Sequence, residues 1–86
     1  MYCVYVLKSL KFKNKFYVGY TEDLDIRLKQ HNKGLSFHTK KYMPWKIVYF
    51  EAYANQEDAK DREKKLKYYG KVYAQLKRRI KRTLEA

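Results

Sequence analysis

Tyr17-Val18-Gly19 stands twelve residues after Tyr5 and ten before Arg27, which opens the run Arg27-Leu28-Lys29-Gln30-His31. Phe16 to Tyr20, around the triplet, is aromatic and β-branched in the manner of a strand. Arg27 and His31 are four apart, the spacing that places two side chains on one face of a helix. Two strand tyrosines, a helical Arg/His pair and a later glutamate, Glu63, are groups that together can hold a metal ion, activate a water and neutralise a phosphate.

Outward from the triplet, residues 2 to 7 put Tyr2, Val4 and Val6 on one face and Cys3, Tyr5 and Leu7 on the other, as a strand buried on both sides would. The polar connection Lys8 to Lys15, carrying Asn14, is short enough for a hairpin. The two strands are therefore expected to be antiparallel neighbours, with Tyr5 and Tyr17 approaching across the sheet. Thr21 as N-cap, acidic Glu22 and Asp23 in the first turn and Gly34 as a stop predict a helix from about Glu22 to Asn32. Its inward arc holds Leu24, Arg27, Leu28 and His31.

Leu35 to Pro44 reads as a flexible polar loop in which His38, Thr39, Lys40 and Lys41 could touch a bound strand. Trp45 to Tyr53 predicts a third strand, anchored in the core by Trp45. Asn55, with Asp58 three residues on, caps a second helix, which Gly70 is expected to end. Val72, Leu76 and Ile80 mark a third helix with a basic outer face. The expected fold is α+β: one domain over residues 1–86, a small central three-stranded sheet flanked by helices in the order β-β-α-β-α-α.

A chain of 86 residues buries one modest core. Its 45% hydrophobic and 17% aromatic content suffices for folding despite a mean hydropathy of −0.85. The single cysteine, Cys3, cannot form an intramolecular disulfide or a zinc site alone and is expected to be an inert buried thiol, in keeping with a reducing cytosol. No apolar run approaches the roughly 18 to 20 residues needed to span a bilayer, and the opening stretch MYCVYVLKSL lacks a basic region ahead of its apolar one. A soluble, cytoplasmic protein with no membrane partner is expected.

The 21 Lys+Arg against 9 Asp+Glu give a net charge of +12, which attracts polyanions and makes nucleic acid the expected partner. Lys40, Lys41, Lys67, Lys71 and Arg78 are the candidate nucleic-acid contacts; the same basic stretch could instead be a solvated helix face. Tyr2, Tyr20, Tyr49 and Tyr53 are expected to pack rather than to stack on bases.

Glu63 falls with Ala59 and Leu66 on the inward stripe of its helix. A carboxylate there is tolerated when paired with a cation or when it holds a metal. Arg62, Lys67 and Arg27 are the possible ion-pair partners, and Mg²⁺ the hard cation that needs only one or two carboxylates.

The element order, Val4-Tyr5, Tyr17-Val18-Gly19, Arg27 with His31, and Arg62-Glu63-Lys64 followed by Leu66-Lys67 together resemble the GIY-YIG nuclease family, most closely its small single-domain members. The resemblance covers nearly the whole chain. Cys3 stands where the family has the first glycine of its first motif, and no asparagine follows Glu63, where some longer members carry one. The resemblance implies a metal-dependent endonuclease acting on DNA in repair or recombination. Glu63 would hold one Mg²⁺ or Mn²⁺, Arg27 would neutralise phosphate charge, and Tyr17, with Tyr5 beside it, would orient and deprotonate water. Free tyrosine, with a pKa of about 10, needs neighbouring positive charge for that task. His31 would hydrogen-bond a tyrosine or the phosphate. The rival readings are a non-catalytic DNA- or RNA-binding module with the same fold and a protein that binds structured RNA without a metal. A monomer is expected.

Overall fold

The computed structural model describes residues 1–86. β1 (Tyr2–Ser9), β2 (Phe16–Thr21) and β3 (Trp45–Tyr53) form one antiparallel sheet in the order β2-β1-β3. The central strand is the one whose alternation predicts burial on both sides. Val4 and Val6 pack with Val18, Ala59, Leu66 and Leu76 on one face, and Tyr5 and Leu7 with Trp45 on the other. Each buried Val or Leu side chain here contributes about 1.5–3 kcal/mol.

The connection Lys8 to Lys15 is the expected hairpin. Asn14 takes a left-handed φ of 61° within it, which asparagine tolerates better than most residues. Ser9 Oγ accepts from the backbone of Lys11 and Phe12 and donates to Tyr42 O, tying the hairpin to the loop before β3. The register sets Tyr5 opposite Gly19 and Leu7 opposite Tyr17. The two tyrosines are diagonal neighbours on one face.

α1 (Leu24–Asn32) packs its Leu24 and Leu28 on the Tyr5 face. It starts later than predicted. Thr21 is not the cap, because its hydroxyl accepts from Asp23 N and donates to Asp23 O in a turn of its own. Asp23 caps instead, accepting from Ile26 N. The predicted stop holds: Gly34, at φ +75°, lets its own N–H reach His31 O and that of Leu35 reach Gln30 O. Asn32 then exchanges two hydrogen bonds with the Trp45 backbone, fixing the end of α1 to the start of β3.

The segment from Leu35 to Pro44 is structured, not a free loop. Ser36 and Thr39 are buried, Lys40–Tyr42 make a 3₁₀ turn, and the Met43–Pro44 peptide is cis. Trp45, 3% exposed, anchors β3 as expected and donates from Nε1 to Thr39 O.

α2 (Gln56–Tyr68) starts at its predicted cap, Asn55. The break after it falls at Tyr69, while Gly70 opens α3 (Gly70–Arg79) rather than closing α2. Ile80 then ends α3, and a further short helix, α4 (Lys81–Glu85), follows without a glycine or proline to announce it. Arg62 of α2 reaches Glu51 of β3 at 2.9 and 3.0 Å, and the hydroxyls of Tyr49 and Tyr53 donate to the same carboxylate. Those four hydrogen bonds outweigh burial and hold Glu51 below the usual carboxylate range. Tyr2, Tyr20, Tyr49 and Tyr53 all pack against the core, as expected.

Candidate active site

Gly19 explains why the triplet in β2 ends in glycine. A Cβ there would lie well inside van der Waals contact of the Tyr5 ring and hydroxyl, so the missing side chain is the space Tyr5 occupies. Tyr5 is 2% exposed and its Oη lies 2.8 Å from His31 Nε2. His31 is wholly buried, and its Nδ1 lies 2.6 Å from Thr39 Oγ1. Tyr17 packs edge-on against His31, with ring centroids 5.4 Å apart.

Burial, with the Arg27 charge nearby, lowers the His31 pKa to about 4, so the ring is neutral. A neutral imidazole donates through one nitrogen and accepts through the other. Thr39 is fully buried, and Nδ1 is the only partner of its hydroxyl. The tautomer assigned from these partners has Thr39 donating to Nδ1 and Nε2–H donating to Tyr5 Oη. The Tyr5 O–H is then left to turn towards Tyr17 and whatever enters the site. Burial raises the Tyr5 pKa to about 12 despite the nearby positive charge of Arg27, which keeps Tyr5 protonated.

Arg27 Nη1 donates to Gln30 Oε1 at 2.9 Å, which braces the guanidinium. From α2, Glu63 Oε2 forms an ion pair with Lys67 Nζ at 3.2 Å, and the Lys67 ammonium stands 4.9 Å from the Tyr17 ring centre. Burial pulls the Lys67 pKa down, but Tyr17 and Glu63 outweigh it and hold the amine charged. β2 is an edge strand, so α2, packed on the other face, meets Tyr17 around that edge.

Tyr5, Tyr17, Arg27, His31 and Glu63 are thus brought together from β1, β2, α1 and α2. Of the ion-pair partners open to Glu63, the structure selects Lys67, since Arg62 is taken by Glu51. Glu63 is half-buried, not sealed: its side chain is 22% exposed. No group of three or more His, Cys, Asp or Glu side chains forms a metal cage. One part-exposed carboxylate does suit Mg²⁺ or Mn²⁺, which complete their shells with phosphate oxygens and water.

The candidate nucleic-acid contacts separate. Lys67 stands inside the cluster. Lys40 and Lys41 lie exposed on the 3₁₀ turn beside Thr39, with Lys40 Nζ 5.3 Å from the ring centre of exposed Phe37. Lys71 and Arg78 are exposed on α3. Sequence reasoning missed Thr39 as the partner of His31 and Lys67 as the neighbour of Tyr17. Only the four-residue step from Glu63 signalled Lys67, and nothing local signalled Thr39.

A model of the GIY-YIG catalytic domain matches residues 1–71. A UPF0213 protein of Staphylococcus aureus is 34% identical over 67 residues, covering 77% of this chain and 79% of the relative. A UPF0213 protein of Clostridium perfringens is 39% identical over 61 residues, 70% of this chain and 63% of that one. The structure-specific endonuclease subunit SLX1 of Kluyveromyces lactis is 42% identical over 55 residues, 57% of this chain but 19% of that much longer protein. The chain thus spans less than two thirds of some of these relatives. No solved structure matches it at a significant level. No helix is long and apolar enough to cross a membrane.

Proposed function

Since the chain belongs to the GIY-YIG catalytic-domain family, we propose that it is a metal-dependent endonuclease that hydrolyses DNA phosphodiester bonds, in repair or recombination. One observation carries this reading: a buried Tyr5–His31 pair, Tyr17, Arg27 and Glu63 converge from four elements at the edge of β2. The relatives named structure-specific endonuclease subunits support endonuclease activity.

Tyr5 stays protonated up to about pH 12 and therefore acts as a hydrogen-bond donor, aimed by His31. Tyr17 orients the attacking water and takes its proton. Lys67 places positive charge against the Tyr17 ring as the proton moves onto its phenol oxygen. Arg27, with N–H groups left over from Gln30, grips two phosphate oxygens and neutralises the charge that grows on them. Glu63 would hold Mg²⁺ or Mn²⁺, which would supply Lewis-acid polarisation of the phosphate and stabilisation of the leaving oxygen.

The test is cleavage of labelled single-stranded, duplex, flapped and branched DNA with Mg²⁺, Mn²⁺ or EDTA, using wild type beside Glu63→Gln. Metal-dependent products, absent in the variant, are expected. Binding without cleavage in every condition would replace the nuclease with a non-catalytic binding module.

A further inference from the structure

Much of the positive charge lies away from the catalytic cluster. The β1–β2 hairpin and the α3–α4 pair enclose a cleft of about 420 Å³, lined by Lys8, Lys13, Phe16, Lys77, Lys81 and Leu84 among others. A depression of about 430 Å³ extends it along Lys15, Phe16, Tyr73 and Lys77. Another of about 540 Å³ follows on the far side of Lys81, rimmed by Arg78, Arg79 and Arg82.

Sheet parity places the main cleft. Lys8 and Phe16 are register partners and share the face of Val4 and Val6, which is covered by α2 and α3. Tyr5, Leu7 and Tyr17 occupy the opposite face. No residue lining these clefts belongs to the catalytic cluster.

The cleft is held, not incidental. Lys8 Nζ and Lys46 Nζ each donate to Ala86 O at 3.0 Å, docking α4 against β1 and β3. Lys77 Nζ sits 4.8 Å from the ring centre of Tyr73. Lys13, Lys77 and Lys81 are exposed and have no carboxylate partner, for the ion pairs of the chain are Arg62–Glu51 and Lys67–Glu63. A merely solvated helix face would scatter its lysines over a convex surface. Here they rim a concave one, with Phe16 and Leu84 as its apolar part. The match to the catalytic-domain model stops at residue 71, whereas Lys77, Lys81, Leu84 and Glu85 are four of the eight lining residues. Half of the cleft lining therefore comes from residues beyond the stretch that the domain model matches.

Unpaired cations at the rim of a groove suit a sugar-phosphate backbone. The molecule measures only 30 × 26 × 20 Å, and a duplex with a persistence length of about 50 nm cannot curl from the Tyr17 side to the opposite face within that span. A DNA that occupied both the cleft and the catalytic cluster would have to present different helical arms to them. We propose that the α3–α4 cleft is an accessory phosphate-backbone site that takes the second duplex arm of a branched DNA while the scissile strand lies at Tyr17 and Arg27. The proposal rests on the nuclease reading and gives it a substrate class.

The test is the triple variant Lys13→Gln, Lys77→Gln, Lys81→Gln on a flapped substrate with two duplex arms and on the same substrate lacking the second arm. For the two-armed DNA, KM should rise about tenfold with kcat unchanged, and the salt slope of binding should fall by about two to three. The one-armed DNA should be cut as before. An unchanged KM on the two-armed DNA would overturn the proposal, and so would an equal rise on both, which would mean general attraction. The same comparison by fluorescence anisotropy in a Glu63→Gln background needs no turnover. Absence of cleavage by wild type would thus sink the nuclease reading, while an arm-specific loss of binding would still be measured.

Discussion

His31 Nε2 lies 2.8 Å from the Tyr5 hydroxyl, and both side chains are buried. Burial, with Arg27 beside it, lowers the histidine pKa from 6.5 to about 4. Between those values the unfolded chain binds a proton that the native chain does not, so stability falls as acid is added. The loss should reach about 3 kcal/mol near pH 4. Glu51, held below its ordinary 4.5, adds a further loss only once the pH drops beneath that value. Urea denaturation between pH 7 and 4.5 isolates the histidine; a flat profile there would contradict a neutral His31.

Gly19→Ala should be disabling although it adds one methyl group. The new Cβ would collide with the Tyr5 ring and hydroxyl, and Tyr5 can yield only by leaving His31. A destabilisation of about 1–3 kcal/mol from overpacking is expected, together with loss of cleavage. Thermal melts and a cleavage assay check it. Wild-type activity in a fully folded variant would show that the Tyr5–His31 contact is dispensable.

Arg62 and Glu63 are adjacent yet should behave differently. Arg62→Met leaves Glu51 half-buried with only its tyrosine partners, at a cost of about 1–3 kcal/mol, and should spare the cleavage rate at temperatures where the chain is folded. Glu63→Gln should do the reverse, with melting nearly unchanged and activity lost. Matching stability and activity profiles for the two variants would refute the division of labour.

That contrast marks what could be read in the sequence. Helical spacing puts Glu63 inward and offers Arg62 and Lys67 as partners, but the choice between them is made by Glu51, eleven residues upstream of Arg62, and no local pattern carries that. Alternation in residues 2 to 7 and the Gly34 stop were legible because each is a local backbone rule. The start of α1 was not, since Thr21 and Asp23 are both good caps and a hydrogen bond from Thr21 to its own turn decides between them. Thr39 looked like any loop threonine. Its role depends on His31 and Trp45 arriving from elsewhere, as does the cleft made by α4 docking on Lys8 and Lys46.

Lys67→Met removes the cation from both Glu63 and Tyr17. The half-saturating Mg²⁺ concentration should fall, because the metal no longer competes with an ammonium, while kcat falls about tenfold or more as the base loses its neighbouring charge. A metal titration of single-turnover rates separates the effects. Parallel increases in both quantities would contradict these roles.

Single-turnover cleavage by Tyr17→Phe and Arg27→Ala, measured beside DNA affinity, is the most direct measurement. The geometry predicts a loss of about 10²–10⁴ in rate for Tyr17→Phe and a comparable loss for Arg27→Ala, with affinity changed by no more than about threefold. Undiminished cleavage in either variant would show that the cluster at the edge of β2 is not where the phosphodiester is broken.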